Sequence, residues 1–321
     1  MKKLFSLALA LAMTMSLAAC GGGSSSSPSQ SGAASSTSGS TASTSGEASN
    51  AFKLGGTGPL TGGASIYGLA AQRGAQIAVD EINAEGGDIQ FVLRYEDDVH
   101  DPEKAVNAYN KLKEWGMQIS LGSVTSQPGI STSALNYEDS IFALTPSASS
   151  PDVLAGKDNV YQMCFSDPNQ GLASAQYISE QKLGEKVFII WKSDDNYSTG
   201  IKDKFMAEAE ALGLNVVGDA TFTTDTQTDF TVQLTQAKQK EADLLFLPIY
   251  YDAASLILTQ ANAMGYEPKF FGVDGMDGIL TVEGFDTSLA EGVMLLTPFN
   301  ADAQDEATQH FVKAYQDKYG E

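Results

Sequence analysis

The chain is poor in the residues that build disulfides, metal centres and catalytic triads. Its 321 residues include only two cysteines and two histidines. Cys20 closes an apolar leader, so Cys164 is left alone and no intrachain disulfide is expected in the mature chain. His100 and His310 lie in different segments, and no G-x-S-x-G or Walker pattern occurs. We therefore predict a protein that is not an enzyme, with no catalytic residues, no metal site and no cofactor.

Basic residues are also scarce. The chain has 19 lysines and arginines against 40 aspartates and glutamates, a formal charge of −21. This balance argues against nucleic acid as a partner and against binding of anionic lipid through basic patches. It is typical of a soluble exported protein.

The N-terminus carries an apolar run, Leu4–Leu17, that is too short to span a bilayer comfortably. Lys2 and Lys3 precede it, and the sequence L-A-A-C ending at Cys20 resembles a lipobox. Residues 1–20 are thus predicted to be a lipoprotein signal peptide, with a diacylglycerol on Cys20 that suffices for stable anchoring. An ordinary signal peptide cut elsewhere, or a core helix, is the alternative. The predicted location is the cell envelope, at the outer face of the cytoplasmic membrane or in the periplasm.

Residues 21–50 consist almost entirely of glycine, serine, threonine and alanine. Such a segment has too little apolar bulk to offset its ordering entropy, so we predict a disordered linker. A coil of this length has a root-mean-square reach of roughly 30 Å. It would let an anchored globular domain reorient toward a partner in the same membrane.

The globular part opens with a strand end, a glycine-rich loop and a long helix over residues 54–87. Gly55, Gly56 and Gly58 allow the backbone to approach a small ligand closely. Tyr67 lies just before the helical pattern and can point back into the loop. A strand, loop and helix with ligand contacts at the strand's carboxyl end is the first half of a doubly wound unit.

The rest of the chain continues this alternation, which predicts an α/β fold with parallel sheets. Asp101 and Pro102 are suited to the N-cap and first position of one helix. Strands are predicted at 89–95, 119–122, 141–144, 187–191, 214–221, 242–248 and 270–273. Residues 160–167 are predicted to cross from the first half of the fold to the second, and residues 293–297 to lead back. Further helices are predicted at 130–139, 170–183, 201–212, 231–240, 253–265 and 305–319.

Two loops rich in serine and threonine follow neighbouring predicted strands. SVTSQPG follows residues 119–122, and TPSASSPDVL follows residues 141–144. Hydroxyls and free N–H groups before a helical turn form a seat for an anion, although such residues also serve as plain N-caps. Two such loops at adjacent strand ends, with Tyr67 near, favour a site for a ligand carboxylate.

An acidic cluster follows the strand at 89–95. Glu96, Asp97, Asp98 and Asp101 could be read as a metal site. His100 stands alone beside them, and no histidine or cysteine partners follow. We therefore expect solvated carboxylates and a helix cap at this place.

The loop KSDDNYSTG, residues 192–200, superficially resembles a calcium-binding loop. The glycine and glutamate that such a loop requires are replaced by Thr199 and Phe205, so calcium is rejected. Tyr197 is better interpreted as a side chain facing a ligand cleft. A surface-loop tyrosine is the alternative.

Several strings carry a resemblance to a known family. GPLTG, RGAQIAVDEINAEGG, TPSASSPDV, IYYDAASLILTQANAMGY and FGVDGMDG occur in the order and spacing of type I periplasmic solute-binding proteins of the leucine/isoleucine/valine kind, which serve ABC importers. The resemblance covers residues 52–321. It implies two doubly wound, Rossmann-like lobes joined by hinge crossovers. Residues 51–166 and 298–321 would form the first lobe, and residues 167–297 the second.

Members of this family continue beyond the point that corresponds to residue 321. They add a further helix of the first lobe and closing strands. The resemblance therefore implies that this chain is truncated at its C-terminus and that its first lobe is incomplete.

The resemblance also implies a binding site for an amino acid. Ser126 and Ser149 would hold the α-carboxylate, and Asp274 would face the ammonium group, where the family often has glutamate. The other implied residues supply backbone groups or walls: Tyr67, Thr125, Ser147, Ala148, Tyr197 and Tyr250. Each charge of a zwitterion needs such a partner when it leaves water.

The function implied by the resemblance is capture of an amino acid, branched-chain or otherwise aliphatic, and its delivery to an ABC permease in the membrane. The protein would act as a lipid-anchored monomer. Two alternatives stay open. One is a binder of a small amide or urea-like solute, which would not need Asp274, and the other is a sensor ectodomain of the same fold.

Overall fold

The computed structural model describes residues 51–321. The predicted signal peptide, the lipidation site at Cys20 and the predicted linker lie outside the described residues. In the described part of the chain, none of the helices combines the length and apolarity that a bilayer span requires.

Within residues 51–321, ten strands form two separate parallel sheets of five strands each. The first sheet contains β1 (Phe52–Gly58), β2 (Phe91–Asp97), β3 (Ile119–Ser123), β4 (Ala143–Thr145) and β5 (Val160–Gln162). The second contains β6 (Val187–Lys192), β7 (Val216–Phe222), β8 (Leu244–Leu247), β9 (Lys269–Gly272) and β10 (Met294–Leu295). The orders, β2-β1-β3-β4-β5 and β7-β6-β8-β9-β10, are the same. The prediction of two doubly wound lobes is confirmed.

Eight α-helices of the described part connect and cover these strands. They are α1 (Ser65–Ala84), α2 (Pro102–Trp115), α3 (Ser126–Glu138), α4 (Asp167–Glu180), α5 (Asn196–Leu212), α6 (Thr231–Gln239), α7 (Tyr251–Ala263) and α8 (Glu306–Tyr319). Helix α8 packs on α1, where Phe311 covers Gly74 and Arg73 donates to the Tyr315 hydroxyl. The lobe boundaries given by the sequence stay a prediction.

The core of the second lobe is built around the central strand β8. All four residues of its Leu-Leu-Phe-Leu sequence are buried. Because side chains alternate along a strand, Leu245 and Leu247 join one apolar cluster and Leu244 and Phe246 join another. Both faces of the sheet are therefore covered, as in other all-parallel sheets.

Several helices begin earlier than the sequence predicted, and the difference decides where site residues lie. Helix α5 begins at Asn196 instead of residue 201, because Asp195 accepts the Tyr197 N–H at 3.1 Å and caps the helix. Helix α3 begins at Ser126 instead of residue 130. Tyr67, predicted before a helix, lies in the first turn of α1. The polar first turns were missed because apolar periodicity begins only where a helix meets the core.

The acidic cluster after β2 differs from the prediction in one respect. Asp101 caps α2 as expected, and Pro102 is its first residue. The expectation of solvated carboxylates is wrong for Asp98, which is fully buried and accepts the His100 N–H at 3.0 Å. Asp97 accepts from the Leu60 N–H at 2.8 Å. These carboxylates therefore fix the loops at the carboxyl end of the first sheet.

Candidate functional site

The carboxyl ends of the strands of both sheets meet around a small cavity. Its volume is about 20 Å³, and it is lined by Tyr67, Val124, Thr125, Ser147, Ser149, Tyr197, Tyr250, Asp274 and Gly275. Seven of the residues singled out from the sequence are among them. Two others, Ser126 and Ala148, are not. The position at strand ends beside a topological switch is where doubly wound folds bind ligands.

Ser126 and Ala148 are both buried, and both support the loop that follows β4. The Ser126 hydroxyl accepts the backbone N–H groups of Ser149 at 3.2 Å and Ser150 at 3.1 Å. The Ala148 N–H donates to the Thr145 hydroxyl at 3.0 Å, and its side chain is fully buried. These two residues thus shape the loop that presents Ser147 and Ser149 to the cavity.

Thr125 stands at the N-cap position of α3 without capping it through its side chain. Its hydroxyl is instead 2.9 Å from Nδ1 of His100, a residue that the sequence analysis set aside. Burial lowers the pKa of His100 to about 4, with the charge of Lys192 acting in the same direction. The first-turn amides of α3 are therefore left without a side-chain cap, which suits an anion.

Asp274 faces this seat from the second lobe. Its Oδ1 is 2.5 Å from the Tyr197 hydroxyl, which also accepts the Gly275 N–H at 2.9 Å. The Asp274 N–H donates to Oε1 of Gln170 at 3.2 Å. Burial raises the pKa of the Asp274 carboxyl, and the Tyr197 hydroxyl opposes that change.

Aromatic rings form the wall between these groups. Tyr250 stacks on Tyr197 with ring centres 4.8 Å apart and meets His100 edge-on at 5.1 Å. The Tyr67 hydroxyl lies 2.7 Å from the carbonyl oxygens of both Gly275 and Asp277. Because Tyr67 belongs to α1 and these carbonyls follow β9, its hydroxyl joins the two lobes.

Asp167 lies beside this site, where its N–H donates to the Ser149 carbonyl at 3.0 Å, and the sequence did not predict it. It is 0% exposed, and neither carboxylate oxygen has a hydrogen-bond partner among the described residues. Burial raises its pKa to about 8; the nearby Ser149 hydroxyl opposes the rise, and the charge of Asp274 adds to it. The signal was present in the sequence, since Pro168 marks a helix start, but the predicted helix began only at Gln170.

Two buried acids, one lining the cavity and one beside it, therefore lack a cation. Neither Asp167 nor Asp274 forms an ion pair with any lysine, arginine or histidine in residues 51–321. Buried carboxylates are costly unless a positive group or hydrogen-bond donors compensate them. Across the cavity, the hydroxyls and helix amides of the first lobe favour a negative group. The arrangement can bind a small molecule that carries both charges.

Two α/β lobes with a polar site between them are the architecture of the hinged solute-binding proteins. Comparison with known proteins places the chain more narrowly. Residues 51–321 match the family described as "Periplasmic binding protein". The chain belongs to this family, which implies an extracytoplasmic location, and the resemblance seen in its sequence is confirmed.

Relatives and solved structures agree with this assignment. The chain is 32% identical over 227 residues to the Leu/Ile/Val-binding protein BraC3 of Rhizobium johnstonii. This match covers 70% of this chain and 61% of that protein. It is 28% identical over 255 residues to the Leu/Ile/Val/Thr-binding protein of Salmonella typhimurium, covering 78% of this chain and 69% of that protein. The aligned part of the chain thus spans less than two thirds of the length of BraC3.

Among solved structures, the fold is similar to the branched-chain amino acid transporter substrate-binding protein LivJ of Streptococcus pneumoniae in complex with isoleucine. The TM-score is 0.78 at 29% identity, and the match covers 84% of this chain and 78% of that one. The leucine-binding protein LivK of Thermotoga maritima gives a TM-score of 0.77 at 26% identity, with 84% and 77% coverage.

Proposed function

We propose that this protein captures an amino acid between its two lobes and delivers it to an ABC permease. The observation that carries the proposal is a buried acid, Asp274, that lines the cavity opposite the hydroxyl loops at Thr125 and Ser149 and has no cation partner within residues 51–321. A second buried acid, Asp167, lies beside it without a hydrogen-bond partner for its carboxylate. The acids suit the ammonium group, and the hydroxyls and α3 amides suit the carboxylate. The names of the relatives favour a branched-chain side chain.

Binding in this proposal is coupled to movement of the lobes. The cavity of about 20 Å³ has room for little more than one water molecule, which is too little for the charged groups of an amino acid, so binding requires the lobes to separate. A ligand that contacts both lobes binds the closed form better and shifts the population toward it. The closed form is then the one that a permease would recognise.

The proposal also includes the cellular setting. A signal peptide over residues 1–20, lipidation of Cys20 and a tether over residues 21–50 would hold a monomer at the outer face of the cytoplasmic membrane. Support comes from the L-A-A-C sequence that ends at Cys20 and from the composition of the tether. Metabolic labelling with a radioactive fatty acid tests this part, because the Cys20→Ala variant should lose the label that the wild type carries.

The binding role is tested by a thermal-shift screen of amino acids, small amides and short peptides. A ligand at 100 times its dissociation constant should stabilise the protein by about 2.7 kcal/mol. We expect leucine, isoleucine or valine to give this shift. A response to amides or urea with none to amino acids would contradict the proposal and favour the alternative solute.

A further inference from the structure

A larger cavity of about 340 Å³ adjoins the candidate site, and the Tyr250 ring lines both. The first lobe contributes residues at the starts of α1 and α2, among them Ala64 and His100. The second lobe contributes residues that follow β6, among them Asp195, together with Lys192 at the end of that strand. This cavity, called the side chamber below, is thus also built from both lobes.

The side chamber contains polar atoms that lack partners. Asp195 is 3% exposed, and its Oδ1 accepts the Tyr197 N–H, but its Oδ2 has no hydrogen-bond partner within the described residues. The Lys192 backbone N–H donates to the Ser198 hydroxyl, but its ammonium makes no hydrogen bond or ion pair with any residue in 51–321. Its charge nevertheless acts on Asp195, because it opposes the burial that raises the pKa of that carboxyl to about 6. A donor and an acceptor therefore lie near each other in one chamber without pairing.

We propose that the side chamber receives the ligand's side chain, and that Lys192 and Asp195 extend the ligand range from aliphatic amino acids to those ending in a carboxamide. The inference rests on the proposed function, since it takes the main-chain charges of the ligand to be held at Asp274 and Thr125. A carboxamide offers its carbonyl to the ammonium and its N–H to Oδ2. One neutral group thus satisfies both the Lys192 ammonium and the Asp195 carboxylate.

Other ligand side chains satisfy the hydrogen-bonding groups of Lys192 and Asp195 less completely. An aliphatic side chain leaves the donor and the acceptor to water, of which a chamber of this size holds several molecules. A carboxylate suits Lys192 and is repelled by Asp195, and an ammonium has the opposite mismatch. The volume of the side chamber does not discriminate between these ligands, because the side chains of leucine and glutamine both fit. The selection is made by polar contacts.

The test is calorimetry with L-glutamine and L-leucine as ligands for the wild type and two variants. Asp195→Asn keeps an oxygen for the Tyr197 N–H and replaces the unpaired acceptor with a donor. Lys192→Met keeps the length of the side chain and removes its charge. We expect the wild type to bind glutamine within tenfold of leucine. Each substitution should weaken glutamine about tenfold, a change of about 1.4 kcal/mol, and leave leucine within twofold.

The inference is overturned if the wild type binds glutamine more than tenfold weaker than leucine, or if both ligands weaken equally in the variants. L-glutamate is the charged comparator and should bind more weakly than glutamine. If neither leucine nor glutamine binds the wild type, the proposed function fails as well. Leucine binding by the wild type therefore distinguishes failure of this inference from failure of the proposed function. Thermal unfolding of each variant checks the fold, and Lys192→Met carries the test if Asp195→Asn does not fold.

Discussion

The hydroxyl of Tyr197 lies 2.5 Å from Oδ1 of Asp274, although 77 residues separate them in the chain. Tyr197 belongs to the first turn of α5, after β6, and Asp274 follows β9. Strand β8 lies between these two strands, so the pair bridges one sheet at its carboxyl edge. The same hydroxyl accepts the Gly275 N–H. The hydrogen bond from Tyr197 to Asp274 therefore holds the carboxylate in one position beside the cavity.

Replacing Asp274 should weaken amino-acid binding strongly. Asp274→Ala removes the group that faces the ligand ammonium and leaves that charge unpaired in a buried site. We expect a loss of about 3 kcal/mol, or roughly 100-fold in affinity by calorimetry. Asp302→Asn, at an exposed position in a loop, is the matched control and should bind as the wild type does. Unchanged affinity in Asp274→Ala would remove Asp274 from the site.

Replacing Tyr197 tests the positioning of that carboxylate. Tyr197→Phe keeps the ring that stacks on Tyr250 but removes the hydroxyl, and so leaves the Gly275 N–H without its acceptor. The pKa of Asp274 should rise further, because the hydroxyl lowers it. We expect affinity to fall about tenfold at neutral pH. Tyr177→Phe, at an exposed position, should have no effect, and an equal loss in both variants would refute the positioning role.

Asp167 should make the ligand-free protein less stable as the pH rises. Its pKa is raised to about 8 from an ordinary value of 3.8. From about pH 4 to about pH 8 the folded chain keeps a proton that the unfolded chain has released, so the free energy of unfolding falls through this window. Asp167→Asn removes that contribution and should be more stable than the wild type at pH 8, by up to about 5 kcal/mol.

Urea unfolding at several pH values measures this effect. Burial raises the pKa of Asp98 and of Asp195 to about 6, so these groups keep part of the slope in the variant. Asp302→Asn should follow the wild-type curve. If Asp167→Asn also follows it, Asp167 does not hold a proton in the folded protein, and its proposed readiness to meet an ammonium group is wrong.

Two hydrogen bonds between the lobes should favour the closed form. Nε2 of Gln127 donates to the Asp194 carbonyl at 2.5 Å, and Nδ2 of Asn196 donates to Oδ2 of Asp152 at 3.1 Å. The double variant Gln127→Ala/Asn196→Ala should populate more open molecules and lose about fivefold in affinity, because part of the binding energy must then close the lobes. Small-angle scattering of the ligand-free protein should show a larger radius of gyration. No change in either quantity would contradict the coupling.

The sequence predicted the architecture well because that information is local. Alternating strands and helices, the Asp101 cap and the apolar run of β8 each specify their own element, and the strand ends then assemble the site. The sequence predicted the polar first turns poorly. The residues of α5 before Ile201 carry no apolar periodicity, because apart from Tyr197 they are polar or small, although Tyr197 and Ser198 are buried.

Burial of individual acids could not be predicted from local pattern either. Asp98 and Asp167 both sit next to helix starts, where aspartate is most often a solvated cap. Their burial depends on residues that are distant in the chain, Ser123 at the end of β3 for Asp98 and Ser149 in the loop after β4 for Asp167. His100 was set aside for the same reason, because its partner Thr125 lies 25 residues away.

The central claim is that both charges of an amino acid are needed, one for each lobe. Calorimetry of the wild type with L-leucine and with 4-methylpentanoate, which lacks only the amino group, tests it most directly. We predict that 4-methylpentanoate binds at least 100-fold more weakly, about 2.8 kcal/mol, because Asp274 and Asp167 lose their cation. Equal affinity for the two ligands would contradict the account.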